Sequence, residues 1–168
     1  FRYYKASQVN GRYPLVAVSN EVTLSGGNTE VLQVHTSLTS NPTEMQITWV
    51  TGSNNYDSVV QFGTSKTNLN RIASTPASSA ITYSANQMCG SPANVTSQQT
   101  FRDPGFIHTV TITGLEPNSF YFYKCGNEYE SWSDVLWLRT NPSSENYTDS
   151  ETSEINTKWI IYGDMGVR

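Results

Sequence analysis

The chain has little charge. Asp, Glu, Lys and Arg together make up 14% of its 168 residues, against roughly 25% in an average soluble domain. What charge there is sums to −4, so the basic footprint of a nucleic-acid partner is missing. No apolar run of ~18 residues is present to cross a membrane as a helix. There are two histidines, His35 and His108, and neither has a His, Cys or acidic neighbour at metal-ligand spacing. No Ser-His-Asp set, phosphate-cradling glycine loop or pair of catalytic acids is visible, so no catalytic residue is assigned within the chain. Cysteine is limited to Cys89 and Cys125. They allow one intramolecular bridge, closing a loop of roughly 36 residues and worth about 3–4 kcal/mol in the chain-entropy description. The alternative is two free thiols, one of them packed as a small core hydrophobe.

What remains is enough for one ordinary domain and too little for two. Apolar residues are 36% of the chain and aromatic residues 12%, a supply suited to an aromatic-rich β core. Ser, Thr and Asn take the place of surface charge, as in extracellular β domains. Asn94-Val95-Thr96 and Asn146-Tyr147-Thr148 are glycosylation acceptor triplets in loop-like sequence, so Asn94 and Asn146 are candidate glycan sites. The expected address is the secretory pathway: secreted or vacuolar.

Between Glu30 and Thr140 the pattern is all-β. Leu32, Val34, Thr36 and Leu38 alternate with polar neighbours, and so do Met45, Ile47 and Trp49. Period-2 alternation marks half-buried strands. Further strands are expected over Ser58–Gly63, Ile107–Thr113, Phe120–Cys125 and Val135–Thr140, with one more near Ile81–Tyr83 inside a long polar excursion. Short strands at this spacing, without helical periodicity, predict an immunoglobulin or fibronectin type III-like sandwich. Leu115-Glu116-Pro117-Asn118-Ser119-Phe120-Tyr121 fits a tyrosine corner, in which a tyrosine hydroxyl turns back onto upstream backbone. Trp49 is the expected core aromatic. His35 alternates onto the exposed side of its strand, and His108 shares the face of Val110 and Ile112 as a hydrogen-bonded structural or interface residue.

On either side of this region the character changes. Residues 1–29 hold two apolar stretches joined by Asn10-Gly11, a strong hairpin dipeptide; they read as an N-terminal β arm or the tail of an upstream domain. Residues 30–141 form the sandwich and residues 142–157 an acidic, Ser/Thr/Asn-rich linker. Residues 158–168 begin a different pattern. The apolar run Trp159-Ile160-Ile161-Tyr162 ends in Gly163-Asp164-Met165-Gly166. Continuous apolar strands belong to α/β sheets covered on both faces, and ligands collect beyond the carboxyl ends of such strands. Asp164 is therefore either a metal-binding carboxylate or the N-cap of a following helix. The chain reads as a fragment: an accessory β domain followed by the first strand of a truncated α/β domain.

Several of these stretches together resemble the purple acid phosphatases, in their long plant-like and oomycete-like branch. They are Leu15-Val16-Ala17-Val18-Ser19-Asn20, Glu44-Met45-Gln46-Ile47-Thr48-Trp49, Val60-Gln61-Phe62-Gly63, Met88-Cys89-Gly90-Ser91-Pro92-Ala93, Asp103-Pro104-Gly105-Phe106-Ile107-His108, Thr113-Gly114-Leu115-Glu116-Pro117 and Gly163-Asp164-Met165-Gly166. The resemblance implies a fibronectin-like N-terminal domain followed by a metallophosphoesterase domain. It implies an acid phosphatase acting on phosphomonoesters through a dinuclear metal centre, iron paired with Zn, Mn or Fe, with Asp164 as a ligand of the ferric ion. It implies no activity for the 168 residues alone, because the other ligands of that centre have no counterpart here. A homodimer is a possible assembly. A second reading, from a different class, is a non-enzymatic fibronectin-like adhesion or receptor module.

Overall fold

The computed structural model describes residues 2–20, 27–88 and 101–141. Among these the chain forms nine strands and three short 3-10 turns, with no α-helix. The strands are β1 (Arg2–Tyr4), β2 (Leu15–Val18), β3 (Leu32–Leu38), β4 (Met45–Thr51), β5 (Ser58–Gly63), β6 (Arg71–Thr75), β7 (Phe106–Ile112), β8 (Phe120–Gly126) and β9 (Leu136–Arg139). A three-stranded antiparallel sheet in the order β3-β4-β7 and a four-stranded one in the order β6-β5-β8-β9 carry the core between them. The first two strands make a separate two-stranded sheet.

The layering follows from side-chain alternation. Met45, Ile47, Trp49, Val110 and Ile112 point inward from the first sheet; Val60, Phe62, Tyr121, Tyr123, Cys125 and Leu138 do so from the second. Leu115 seals one end. Each large apolar side chain removed from water contributes about 1.5–3 kcal/mol. The run Phe120 to Tyr123 divides by parity: Tyr121 and Tyr123 are buried, while Phe120 and Phe122 lie on the outer face.

Three local expectations are corrected. The strand inside the polar excursion is β6, Arg71–Thr75, rather than Ile81–Tyr83; Ile81 forms only a single bridge to Ile107. Arg71–Thr75 is an edge strand in which Ala73 faces the core and Ile72 faces solvent, so its apolar alternation is too sparse to read. β3 is also an edge strand, and its apolar row is interrupted. Gln33 takes a positive φ of 53°, the register slips between Leu32 and His35, and Leu32 and Leu38 end up exposed. The last strand stops at Arg139, one residue short of the expected Thr140, whose side chain turns into the corner described below.

Candidate functional site

Strand parity brings three polar residues to one end of the core. Thr51 continues the inward row of Met45, Ile47 and Trp49; Ser58 opens the row of Val60 and Phe62; His108 opens that of Val110 and Ile112. All three are buried. His108 stands opposite Trp49 in the β4–β7 register, and the two rings stack with centroids 5.3 Å apart and planes 14° from parallel. The imidazole Nε2 lies 2.8 Å from Thr51 Oγ1, and Nδ1 lies 2.8 Å from Ser58 Oγ.

Hydrogen-bond accounting assigns the tautomer. The Thr51 hydroxyl donates to the Ser53 carbonyl at 2.7 Å, so its one proton is committed. It must then accept from His108, which places hydrogen on Nε2 and leaves Nδ1 to accept from the Ser58 hydroxyl. The neutral ring is fully satisfied, and it joins the three-stranded sheet to the four-stranded one. Burial pushes its pKa below the ordinary 6.5, opposed more weakly by the Ser53 backbone and the negative charge of Glu130. The network extends outward. The Ser53 hydroxyl donates to the Glu130 carboxylate, and the Asn127 amide donates to the Asp57 carbonyl at 2.8 Å. Ser58 and His108 do not make a nucleophile–base pair. The serine is buried, and the far ring nitrogen faces a hydroxyl rather than an orienting carboxylate. This is a structural link between layers.

A second constellation is the corner after β7. The Glu116 amide donates to the Tyr121 hydroxyl at 3.0 Å. The Leu115 amide donates to the Thr43 carbonyl, and the Asn118 amide to the Asn141 carbonyl. The Thr140 hydroxyl donates to the Glu116 carbonyl at 2.6 Å and accepts the Ser119 amide at 2.8 Å. The corner thus ties the β3–β4 turn, the start of β8 and the end of β9 together.

The remaining sequence-selected residues fall as follows. Cys125 is a buried free thiol, pushed up to about 11 by burial, which outweighs its hydrogen bond to the Ser133 hydroxyl. Its possible partner Cys89 lies outside the described residues, as do Asn94, Asn146 and Asp164. His35 is exposed, with Nδ1 2.9 Å from the Gln33 carbonyl. Among the described residues no group of three or more His, Cys, Asp or Glu could hold a metal ion. These residues therefore do not fit a dinuclear centre. Sequence reasoning missed Thr51, Ser58, Ser53 and Glu130. The signal for the first two was available: a polar side chain sits at an inward position at the same end of two adjacent apolar rows.

These observations define a class: an all-β sandwich module, packed around Trp49 and closed by a tyrosine corner, with no catalytic constellation among its described residues. Residues 31–140 match the family pattern described as purple acid phosphatase, N-terminal domain, and the chain belongs to that family. It is 34% identical over 154 residues to "Probable inactive purple acid phosphatase 27" of Arabidopsis thaliana, covering 90% of this chain and 23% of that protein. It is 29% identical over 148 residues to "Purple acid phosphatase 15" of the same plant, covering 80% of this chain and 25% of that protein. Among solved structures, the purple acid phosphatase PPD1 from yellow lupin (Lupinus luteus) seeds superposes with a TM-score of 0.59 at 30% identity, over 79% of this chain and 23% of that one. The chain therefore spans about a quarter of the length of the relatives it matches.

Proposed function

We propose that the chain is the N-terminal, non-catalytic part of a metal-dependent acid phosphatase that hydrolyses phosphate monoesters. The observation that carries this is the order of its parts. The family's N-terminal domain occupies residues 31–140, and Gly163-Asp164-Met165-Gly166 follows within thirty residues. In this reading Asp164 supplies one carboxylate to a dinuclear centre of iron with Zn, Mn or Fe. One carboxylate cannot hold two ions, so the remaining ligands come from polypeptide beyond this chain, and such a centre would activate a hydroxide and stabilise phosphoryl charge. The parent is expected to be secreted or vacuolar and glycosylated at Asn94 and Asn146; glycosidase treatment of the native protein should lower its mass at both sites. The purified 168-residue chain should show no phosphatase turnover, and measurable turnover would falsify the assignment of this part as non-catalytic. In the parent, Asp164→Asn should remove most bound iron by elemental analysis.

A second reading has its own support, because several relatives carry "probable inactive" in their names. On that reading the parent keeps the fold and binds phosphate without turning it over. Tight phosphate binding by the iron-loaded parent, without hydrolysis, would select it. An adhesion module is the less favoured alternative; it requires a parent that binds no metal.

A further inference from the structure

The outer face of the four-stranded sheet carries an aromatic strip set between two cations. Along β8 the outward positions are Phe120, Phe122 and Lys124, and along β9 they are Trp137 and Arg139. The antiparallel register sets Phe120 opposite Arg139 and Phe122 opposite Trp137. Lys124 and Arg139 therefore flank Trp137 along the strand direction, each about 7 Å away by strand rise. Trp137 is 63% accessible and Phe120 51%, with ring centroids 5.7 Å apart. Both cations are held in place. The Arg139 guanidinium lies 5.2 Å from the Phe120 centroid and donates through Nε and Nη2 to the Asn118 carboxamide oxygen, at 3.1 and 2.5 Å. Lys124 Nζ lies 4.2 Å from the Trp132 centroid. Among the described residues no carboxylate pairs with either cation. No acid occupies an outward position on β5, β6, β8 or β9, in a chain with 14 acids and 10 Lys and Arg.

We infer that this strip binds an acidic polysaccharide, a linear polymer of uronic acids. A pyranose ring has a flat face of C–H bonds that stacks on an open indole, and the carboxylates of neighbouring sugars reach the cation on either side of Trp137. Guanidinium and carboxylate form the strong, planar kind of charge-assisted contact, and a guanidinium already fixed by Asn118 and Phe120 loses little freedom on binding. Three observations choose this ligand. The two unmatched cations select an anion over a neutral sugar. They also disfavour a second copy, because a two-fold contact through this face would bring like charges together. Size and shape then favour a chain of rings over a folded protein. A standard protein interface uses roughly 20–30 residues a side, whereas this strip offers two open rings between two cations. An acidic peptide would supply the charge but no ring face for Trp137. The inference is independent of the phosphatase reading, since it makes no use of metal or phosphomonoester.

Calorimetric titration of oligogalacturonate into the 168-residue chain and into the full-length parent tests it. Both should bind saturably, and binding should be largely lost as ionic strength approaches about 1 M, where the Debye length is about 3 Å. Trp137→Ala and Arg139→Gln should each weaken binding about tenfold. Ile72→Ala, at an outward position on the far strand β6 of the same sheet, should bind like the original chain. Polyglutamate of equal length and fully methyl-esterified oligogalacturonate should each bind about tenfold more weakly than the free acid. Polyglutamate binding as tightly as oligogalacturonate would assign the strip to an acidic protein segment and overturn the inference. Equal binding of the methyl ester would remove the cations from the site and also overturn it. Binding by the short chain alone would mean that other polypeptide covers the strip in the parent; binding by the parent alone would place the site elsewhere. Either result overturns the proposal, as does unchanged affinity in Trp137→Ala and Arg139→Gln or the absence of saturable binding.

Discussion

At the scale of single residues, the sandwich depends on a few polar groups whose alternatives are worse. Tyr121→Phe removes the acceptor for the Glu116 amide and should cost about 1–2 kcal/mol, because the orphaned donor is not replaced by water. A urea unfolding midpoint indistinguishable from the parent chain would count against that role. Trp49→Ala, which empties the middle of the core, should cost about 3–5 kcal/mol in the same measurement. His108 makes a prediction about pH. Burial depresses its folded-state pKa, so as pH falls below about 6.5 the unfolded chain takes up a proton that the folded chain resists. The unfolded state then binds more protons, and stability must fall with falling pH. The contribution is fully present above the ordinary histidine pKa and is lost as the pH drops toward the lowered one. In His108→Gln, the slope of stability against pH across that window should be flatter than in the original chain. An unchanged slope would mean that another group titrates there.

At the scale of elements, two glycines explain sharp turns, one of them within the Asp103-Pro104-Gly105 stretch that carries the family resemblance. Gly105 has a φ of 76°, and a Cβ there would stand 2.3 Å from the Thr51 carbonyl oxygen; at Gly126, with φ 137°, it would stand 2.0 Å from that of Ser131. Gly126→Ala should therefore displace the 127–131 loop and cost several kcal/mol, about 3 or more. The readout is loosening of the 127–131 turn, visible as faster exchange of the Glu130 amide, which donates to the Asn127 carbonyl. Most strands were legible from alternation alone, because β4, β5 and β8 are central in their sheets and, like the edge strand β7, each buries one clean face. Two other edge strands were harder. β6 packs too few apolar side chains to announce itself, and β3 breaks its own row at Gln33. The inter-sheet link was half legible. His108 was recognisable as structural, but Ser53 and Glu130 come from loops where no periodicity applies. Asp164 lies outside the described residues, and its assignment rests on its flanking glycines and the resemblance they complete.

At the scale of the whole molecule, the described residues build a sandwich that carries its own core between two sheets. The 27–141 region holds its own core, so the isolated sandwich should unfold cooperatively as one unit, with coincident transitions by fluorescence and circular dichroism; a distinct early transition would show a separable part. The tyrosine corner gives this unit a direction. Because Asn141 is held by the Asn118 amide and Thr140 is clamped between Glu116 and Ser119, the last strand cannot swivel where it leaves the sheet. The corner acts as a mounting bracket: it fixes the bearing on which the backbone leaves the sheet at Asn141. A defect at Tyr121 or Thr140 would then loosen that exit as well as soften the sandwich.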